Sequence, residues 1–414
     1  MNDLEIRMRC RICHSESLTK FLDLGFTPLA DDFLSPDRLG KPEVYHPLEV
    51  FICDNCSLVQ IGYVVPPEIL FQKDYPYESS TTKTGVKHFH SLAQEASSKF
   101  GLCSDDLVVD IGSNVGVLLQ GFKDQGIDVL GIDPAGNICE IARSNGIETM
   151  NEFFSEELAI KIVKAKRKAK IVTGTNVVAH INDHHSLVRG IDILLAERGV
   201  FIFEAPYLVT LIDNMEYDTI YHEHLSYLSV KPMTTLFDKF GMEIFDVKKV
   251  DIHGGSLRYF VARKNDYPIS ENVNRLVEME NEKKIYEIGT LKNFAKSVQN
   301  NREELTWMLK SIKHEGKRIA GVSAPAKGMT LLNYCKIGTE TLDFITEKSP
   351  LKIGKYTPGA HIPILPDSEL TEQMPDFALL LAWNFATEIM GNLSTYRKAG
   401  GKFIIPIPKP GIIA

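Results

Sequence analysis

The stretch Leu107-Val108-Val109-Asp110-Ile111-Gly112-Ser113-Asn114-Val115-Gly116 decides the fold of the central part of this chain. Its apolar start ends on an acid, which predicts a buried strand of a parallel sheet. The glycines that follow let the backbone turn sharply and let a ligand approach closely. Since a helix is expected next, the stretch predicts a ligand crevice at the carboxyl end of its strand.

A second strand that ends on an acid indicates a nucleoside site. Val129-Leu130-Gly131-Ile132-Asp133 predicts the next strand, and a helix from about 136 to 145 follows it. Asp133 is in the position where a carboxylate can accept both hydroxyls of a ribose. The loop lacks the G-x-G-x-x-G spacing of a dinucleotide site. It suits S-adenosylmethionine (SAM), which has no pyrophosphate, although glycines after a strand can also be ordinary turns. The candidate cofactor-binding residues are Asp110, Gly112, Asn114, Gly116, Asp133, Pro134 and Asn176.

The remaining pattern divides the chain into parts. Strands at 171–173 and 200–203 continue the alternation of strand and helix, which predicts a doubly wound sheet. A second alternation begins at Arg318, with strands at 319–322, 342–345, 377–381 and 403–405, a turn at 325–328 and a helix at 329–335. The predicted fold class is α/β, with an N-terminal zinc-binding module, a central doubly wound SAM-binding sheet and a C-terminal Rossmann-like domain. The predicted parts are 1–75, 76–265, a helical connector at 266–315, and 316–414.

Two cysteine pairs near the start of the chain predict a metal site. Cys10-x-x-Cys13 and Cys53-x-x-Cys56 can each place two thiolates around one tetrahedral zinc ion, and four sulfur ligands are characteristic of structural zinc. His14 is then expected to be a bystander. Two disulfides or four free thiols are the alternative interpretation.

The composition limits the classes of function. The chain has 414 residues, which predicts two or three domains, and a net charge of -8, which argues against a broad nucleic-acid surface. No run of about 18 apolar residues suggests a membrane span. Its seven cysteines and the absence of an apolar signal region suggest a cytoplasmic protein, although its oligomeric state stays open.

The densest group of reactive side chains is Tyr221-His222-Glu223-His224. In an extended segment, the two histidines would face the same way and Glu223 the opposite way. The group suits a general base better than a metal site, because H-E-x-x-H is absent. The alternative is a hydrogen-bonded structural cluster. Two further candidates are a lid at Tyr75-Pro76-Tyr77-Glu78-Ser79-Ser80 and His180 at the end of a strand, each of which has an ordinary turn or helix end as its alternative.

These motifs occur in the order that is typical of one protein family. Three further motifs of that family follow in the chain: His253-Gly254-Gly255-Ser256-Leu257-Arg258, Ala324-Pro325-Ala326-Lys327-Gly328 and Tyr356-Thr357-Pro358-Gly359-Ala360-His361-Ile362-Pro363. Over nearly its full length the chain resembles the sugar C-methyltransferases that act on nucleotide-linked 4-keto-6-deoxyhexoses, typically at C-3. The resemblance implies a structural zinc in the first part, SAM in the middle and the nucleotide of the substrate at the third. It does not identify the sugar, its stereochemistry or the choice between thymidine and guanosine diphosphate.

The chemistry of such a reaction assigns expected roles. A C-4 ketone acidifies the proton on C-3, a base removes it, and the resulting enolate attacks the methyl group. His224 is the expected base, with Glu223 as its partner or as the alternative base. Tyr221 and either Tyr75 or Tyr77 are expected to bind the sugar, and His180 to stabilise the enolate. The candidate substrate-binding residues are Lys327, Gly328, Lys355, Tyr356 and His253.

Two other functions compete with this one. An O- or N-methyltransferase of a small metabolite would need no ketone and no strong base. A zinc-containing RNA-binding methyltransferase or adaptor is disfavoured by the acidic balance of charge.

Overall fold

The first part of the chain is built around a small antiparallel sheet. The structure, a computed structural model, describes residues 8–72, 75–252 and 254–413. The sheet has the order β1-β2-β3-β9, so its last strand comes from the central part of the chain. The first elements are β1 (Leu18–Thr27), β2 (His46–Cys53), β3 (Val59–Ile61) and α1 (Pro67–Phe71).

The central part confirms the predicted doubly wound sheet. Its seven strands have the order β10-β11-β8-β7-β4-β5-β6, with β10 and β11 antiparallel at one edge. Its elements are α2 (Lys83–Phe100), β4 (Leu107–Ile111), α3 (Val117–Lys123), β5 (Asp128–Ile132), α4 (Gly136–Ser144), β6 (Thr149–Met150), α5 (Glu156–Ala165), β7 (Ala169–Thr175), α6 (His184–Leu194), β8 (Leu195–Pro206), α7 (Leu208–Asp213), β9 (Ser226–Tyr227), α8 (Val230–Asp238), β10 (Met242–Val250) and β11 (Ser256–Arg263).

Two helices follow, within the segment predicted as a helical connector. They are α9 (Glu271–Glu282) and α10 (Ile288–His314). The buried face of α10 repeats at helical spacing through Leu291, Phe294 and Val298, and these side chains belong to the main apolar core. That core includes residues of all three sheets. The helices therefore join the parts by packing between them.

The third part has a six-stranded sheet of order β14-β13-β12-β15-β16-β17, parallel except at β17. The strand predicted at 342–345 begins only at Ile345, because Thr341 and Leu342 both donate to the Gly338 carbonyl in a turn. The turn predicted at 325–328 is already helical from Ala326. The elements are β12 (Ile319–Val322), α11 (Ala326–Cys335), β13 (Ile345–Glu347), β14 (Ile364–Pro366), α12 (Ser368–Gln373), β15 (Phe377–Leu380), α13 (Ala386–Asn392), α14 (Ser394–Lys398), β16 (Lys402–Ile405) and β17 (Gly411–Ile413).

Within the described ranges, no helix combines the length and the apolar character that a transmembrane segment requires.

Candidate active site

The four paired cysteines converge in the first part of the chain. Their Sγ atoms all lie within 4.8 Å of one another, and none forms a disulfide. The Sγ atoms of Cys10 and Cys56 are 3.3 Å apart, and those of Cys13 and Cys53 are 3.5 Å apart. Zinc–sulfur bonds of about 2.3 Å in a tetrahedron place sulfurs about 3.8 Å apart. The cluster therefore fits one zinc ion with a closed shell.

The backbone forms the same turn at both cysteine pairs. The amide of His14 donates to the Cys10 carbonyl, and the amide of Ser57 donates to the Cys53 carbonyl, each at 2.9 Å. Both of these residues have positive φ, 60° and 67°. Two equivalent turns facing each other present four thiolates, and the ring of His14 instead lies 4.3 Å from that of His185. The expectation that His14 is a bystander agrees with this placement.

The glycine loop after β4 has the shape that close ligand approach requires. Gly112 has φ +68°, and a Cβ there would collide with the Val177 side chain. Gly116 has φ +83°, and a Cβ there would lie 2.8 Å from Ile147. Both positions therefore need glycine, which explains the spacing seen in the sequence.

Asp133 holds this loop from the end of β5. Its Oδ2 accepts the amide of Asn114 and its Oδ1 accepts the amide of Ala135, each at 2.9 Å. Each carboxylate oxygen has a second lone pair, so hydrogen bonds to a ribose remain available. Pro134 follows directly, and its carbonyl accepts from Asn151 at 2.9 Å.

Asp110 is buried beneath the loop. Thr173 Oγ1 donates to its Oδ1 at 2.6 Å. Burial raises the pKa of Asp110 to about 7, against the opposing effect of the Thr173 hydrogen bond. Asp110 therefore supports the loop from below as a hydrogen-bonded carboxyl group.

Polar atoms without a protein partner surround the loop. Among the described residues, Asn176 Oδ1, Asn137 Oδ1 and Ser113 Oγ are buried and make no hydrogen bond. Buried acceptors normally have a donor. The hydroxyls and amino groups of SAM are donors of the required kind, so the residues present at this edge of the sheet fit that cofactor.

We expect Asp133→Ala to weaken SAM binding. The change removes hydrogen bonds to a charged acceptor, which are worth about 1.5–3 kcal/mol, or roughly a 10- to 150-fold rise in Kd. Isothermal titration calorimetry measures the effect. Asp124→Ala, on the exposed end of α3, is the control. Unchanged affinity in Asp133→Ala, with the fold intact, would refute this placement of the ribose.

The tyrosine segment 75–80 is tied to the cofactor loop. Asn114 Oδ1 accepts the amide of Ser79 at 2.9 Å, and its Nδ2 donates to the Tyr77 carbonyl at 3.1 Å. Asn137 Nδ2 donates to the Tyr75 carbonyl at 3.0 Å. On its other side, the Tyr75 hydroxyl donates to Glu223 Oε2 at 3.3 Å. The segment thus joins the cofactor loop to the reactive cluster.

The reactive cluster forms a turn rather than an extended segment. The His224 amide donates to the Tyr221 carbonyl at 2.9 Å, and β9 begins only at Ser226. Consequently, the two histidines do not face the same way. His222 Nε2 donates to the Pro47 carbonyl at 3.2 Å, and burial lowers the pKa of His222 to about 4. This histidine supports the zinc-binding sheet.

His224 is held in one tautomer. Its Nδ1 lies 2.7 Å from the Thr219 carbonyl and must donate to it, so neutral His224 has its lone pair on Nε2. The Tyr221 hydroxyl lies 2.8 Å from that Nε2 and donates to it. The ring of His180 lies 4.8 Å from the ring of His224. Burial, with a smaller effect from His224, holds the pKa of His180 well below its usual value, so His180 is neutral.

Glu223 lies in a separate carboxyl pair. It is 3% exposed and in hydrogen-bonding contact with Asp31. Lys352 Nζ lies 4.0 Å from Asp31 Oδ1 and donates to the Ala324 carbonyl at 2.8 Å. Each of the three parts of the chain therefore contributes one ionisable side chain to this group. Neither Asp31 nor Lys352 was identified from the sequence, since no motif or spacing marks either one.

Lys327 is buried at the start of α11. Its Nζ lies 3.8 Å from Asp218 Oδ2 and 4.2 Å from the centre of the Trp383 ring, and makes no hydrogen bond within the described part of the chain. Gly328 packs closely on the third sheet, since a Cβ there would lie 2.9 Å from Leu381 Cβ. A buried ammonium at a helix start suits a phosphate, yet it already faces one carboxylate.

The other candidate substrate residues lie elsewhere. Tyr356 exchanges both backbone hydrogen bonds with Leu34 of the zinc-binding part, at 2.8 and 2.9 Å, and Lys355 precedes it. The Gly359 amide donates to Glu43 at 2.8 Å. This segment is therefore fastened to the first part of the chain. The predicted residue His253 lies outside the described residues.

Comparisons with protein families cover most of the chain. Residues 10–71 match a family described as "Putative zinc binding domain", 88–247 match "Methyltransferase domain", and 251–408 match "C-methyltransferase C-terminal domain". The last match includes α9 and α10, which the sequence pattern had set apart as a connector.

Individual relatives were found as well. The chain is 36% identical to C-methyltransferase NovU of Streptomyces niveus over 406 residues, which is 98% of this chain and 96% of that protein. Among solved structures, a SAM-dependent methyltransferase from Clostridium acetobutylicum is 17% identical, with a TM-score of 0.34 over 43% of this chain and 92% of that one. The magnesium protoporphyrin IX methyltransferase of Synechocystis is 14% identical, with a TM-score of 0.35 over 45% and 90%.

Proposed function

Because this chain belongs to the C-methyltransferases, with a SAM-using methyltransferase domain and a four-cysteine zinc site, we propose that it methylates C-3 of a nucleotide-linked 4-keto-6-deoxyhexose. Such a reaction would belong to the biosynthesis of a branched deoxysugar. SAM supplies the methyl group as an electrophile attached to a sulfonium. The protein must therefore create a carbon nucleophile beside it.

The observation that carries the proposal is the direct link between the cofactor edge and the reactive cluster. Tyr75 contacts Asn137 of the cofactor edge through its carbonyl and Glu223 of the reactive cluster through its hydroxyl. Methyl transfer to oxygen or nitrogen requires no removal of a proton from carbon, whereas transfer to the carbon beside a ketone requires a base that removes one. His224 Nε2 carries the lone pair that accepts the C-3 proton, and the electron pair of the broken C–H bond remains on the sugar as an enolate.

The neighbouring side chains suit the other requirements of this step. The Tyr221 hydroxyl occupies His224 Nε2 in the resting enzyme, so the substrate must displace it, and Tyr221 is then available to the sugar. Neutral His180 lies beside His224 and can donate one N–H to the enolate oxygen. Because His180 is neutral, it places no positive charge next to the base. Attack of the enolate carbon on the methyl group leaves the electron pair of the broken bond on the departing sulfur.

The proposal is tested with purified enzyme, SAM and a panel of thymidine and guanosine diphosphate-linked 4-keto-6-deoxyhexoses. We expect mass spectrometry to detect one added methyl group and NMR to place it on C-3. In heavy water without SAM, the C-3 proton should exchange for deuterium. Methylation on oxygen, or transfer without any exchange at C-3, would contradict the proposed reaction.

We further propose that Lys327 binds the diphosphate of the substrate. Its Nζ is buried at the start of α11 without a hydrogen-bond acceptor among the described residues, and backbone amides at a helix start add to its attraction for phosphate. Lys327→Ala should raise KM for the sugar nucleotide by about tenfold or more while leaving Kd for SAM unchanged. Steady-state kinetics and calorimetry measure the two quantities. Lys310→Ala, on an exposed face of α10, is the control, and an equal KM in Lys327→Ala and the parent would count against the site.

A further inference from the structure

Asp31 and Glu223 form a buried pair of carboxyl groups, and the surrounding charges can stabilise only one of the two in its ionised form. Glu223 is 3% exposed, and the side chain of Asp31 is 10% exposed. Only one cation, Lys352, lies close to Asp31 among the described residues, at 4.0 Å, and its Nζ also donates to the Ala324 carbonyl. Two carboxylates in contact repel each other strongly when both are charged. One lysine balances one negative charge, so the pair retains one proton.

The contacts place that proton on Glu223. Burial raises the pKa of Asp31, but Lys352 beside it and the hydrogen bond from Glu223 both oppose that rise and favour the ionised form. Burial and the adjacent Asp31 hold the pKa of Glu223 well above its usual value, whereas the Tyr75 hydrogen bond and Lys352 oppose the shift. Among the described residues, the other groups that face the pair are the phenols of Tyr77 and Tyr221, and neither carries charge at neutral pH. Glu223 is therefore the protonated member.

Resting on the function proposed above, we propose that Asp31 is a positioning residue that keeps Glu223 in its neutral, hydrogen-bond-donating form during catalysis. In the resting enzyme, the Glu223 hydroxyl donates to Asp31. A sugar ketone placed against the pair offers this hydroxyl a second acceptor, and that acceptor gains negative charge as the enolate forms. A donor fixed in a buried site stabilises such a charge far better than water does. The proton stays on Glu223 throughout, so Glu223 serves as a hydrogen-bond donor to the enolate oxygen and His224 as the base.

The surrounding structure fixes Asp31 firmly enough for this role. Asp32 forms two hydrogen bonds to the guanidinium of Arg38, at 2.7 and 2.8 Å. Leu34 exchanges backbone hydrogen bonds with Tyr356 of the third part, close to Lys352 in the chain. The segment directly after Asp31 is thus held by Arg38 and Tyr356, which presents Asp31 to a glutamate of the central part and a lysine of the third part.

The direct test is the protonation of Glu223 in the resting enzyme. In protein labelled with 13C at the glutamate carboxyls, the Glu223 signal is identified by its loss in Glu223→Gln. We expect Glu223 to be protonated at neutral pH in the parent enzyme. In Asp31→Asn the neighbouring negative charge is absent, so its midpoint should fall by about 1–3 pH units. Asp37→Asn, whose carboxylate is in a surface ion pair with Lys41, should leave the midpoint unchanged.

The kinetic arm connects the pair with catalysis. Activity should fall as pH rises through the Glu223 midpoint, because the donor is then lost. The basic limb of the kcat profile should therefore move to lower pH in Asp31→Asn and to higher pH in Lys352→Met, where the balancing cation is removed. Asp37→Asn should leave the limb in place. A purely structural role for Asp31 would lower kcat at every pH without moving the limb.

Each result decides the inference. A parent Glu223 that titrates in the ordinary carboxyl range, or a midpoint unchanged in Asp31→Asn, would overturn it. A midpoint that moves while the basic limb stays fixed would also overturn the catalytic role. The NMR titration needs no substrate. If the enzyme methylates none of the sugar nucleotides, the proposed function fails while the titration still reports whether Asp31 keeps Glu223 protonated.

Discussion

Cys10→Ser should abolish zinc binding and, as a consequence, unfold the first sheet. Structural zinc sites contribute apparent binding free energies of about 10–16 kcal/mol, and that free energy is coupled to folding. The sheet β1-β2-β3-β9 is small, and Cys10 is fully buried in the core that it shares with the other two sheets. We expect the zinc content of the purified protein to fall from about one ion per chain to near zero, and the melting temperature to fall with it.

The matched control for this change is Cys103→Ser. Cys103 is exposed and lies apart from the cluster, so its replacement should leave zinc content and stability unchanged. Elemental analysis and differential scanning calorimetry measure the two quantities. Because β9 pairs with β3 directly after the reactive turn, loss of zinc should also reduce activity. A protein without zinc that keeps full activity and stability would contradict the structural role.

Much of the fold could be predicted from the sequence, because local patterns encode it. The strand at 107–110 and the helix from about 136 are confirmed, since buried parallel strands are continuous apolar runs and helices repeat every 3.6 residues. The start of β13 was placed too early because Leu342 and Phe344 are as apolar as a strand. A turn closed by the Gly338 carbonyl takes up the chain as far as Leu342, and although the Asp343 amide already donates to the Ile319 carbonyl, the regular register with β12 begins at Ile345. Hydrogen bonds between backbone atoms of separate residues cannot be read from the apolar pattern of the sequence.

The site was predictable only where it follows a motif. The cysteine pairs and the glycine loop can be recognised in the sequence by their spacing, and His224 by its reactive residue type. Asp31 and Lys352 are an acid and a base among many, and their importance arises only when the loop after β1 and the segment before Tyr356 meet at Glu223. A turn also sets the directions in which the side chains of His222 and His224 point. The alternation of side chains along an extended segment does not predict such a turn.

The position of Glu223 narrows the choice of base. The sequence left His224 and Glu223 as alternatives for proton abstraction. In the structure, Glu223 is buried against Asp31, which favours its protonated form, whereas Nδ1 of His224 donates to the Thr219 carbonyl, so that in neutral His224 the lone pair is on Nε2. A base must have an available lone pair at working pH. For the proposed reaction, this arrangement favours His224 over Glu223 as the base.

His224→Asn should therefore lower kcat strongly. Loss of a positioned general base typically reduces the rate by about 10²–10⁴-fold. Asparagine can still donate to the Thr219 carbonyl and can still contact Tyr221, so the turn should keep its shape while the basic nitrogen is lost. Zinc content and Kd for SAM should stay at their parent values. Rapid-quench or steady-state kinetics measure the change, and His314→Asn, at an exposed helix end, is the control.

Deuterium exchange at C-3 without SAM separates this role from the alternatives, because exchange needs only the base. In His224→Asn, exchange and methylation should fall together by a similar factor. Tyr221→Phe should keep exchange within about tenfold of the parent, since it frees Nε2 and removes only one hydrogen bond, worth about 0.5–1.5 kcal/mol. If exchange persists in His224→Asn while methylation is lost, His224 positions the donor or the sugar instead. If exchange is lost equally in Tyr221→Phe, the Tyr221 oxygen takes the C-3 proton and passes its own proton to His224.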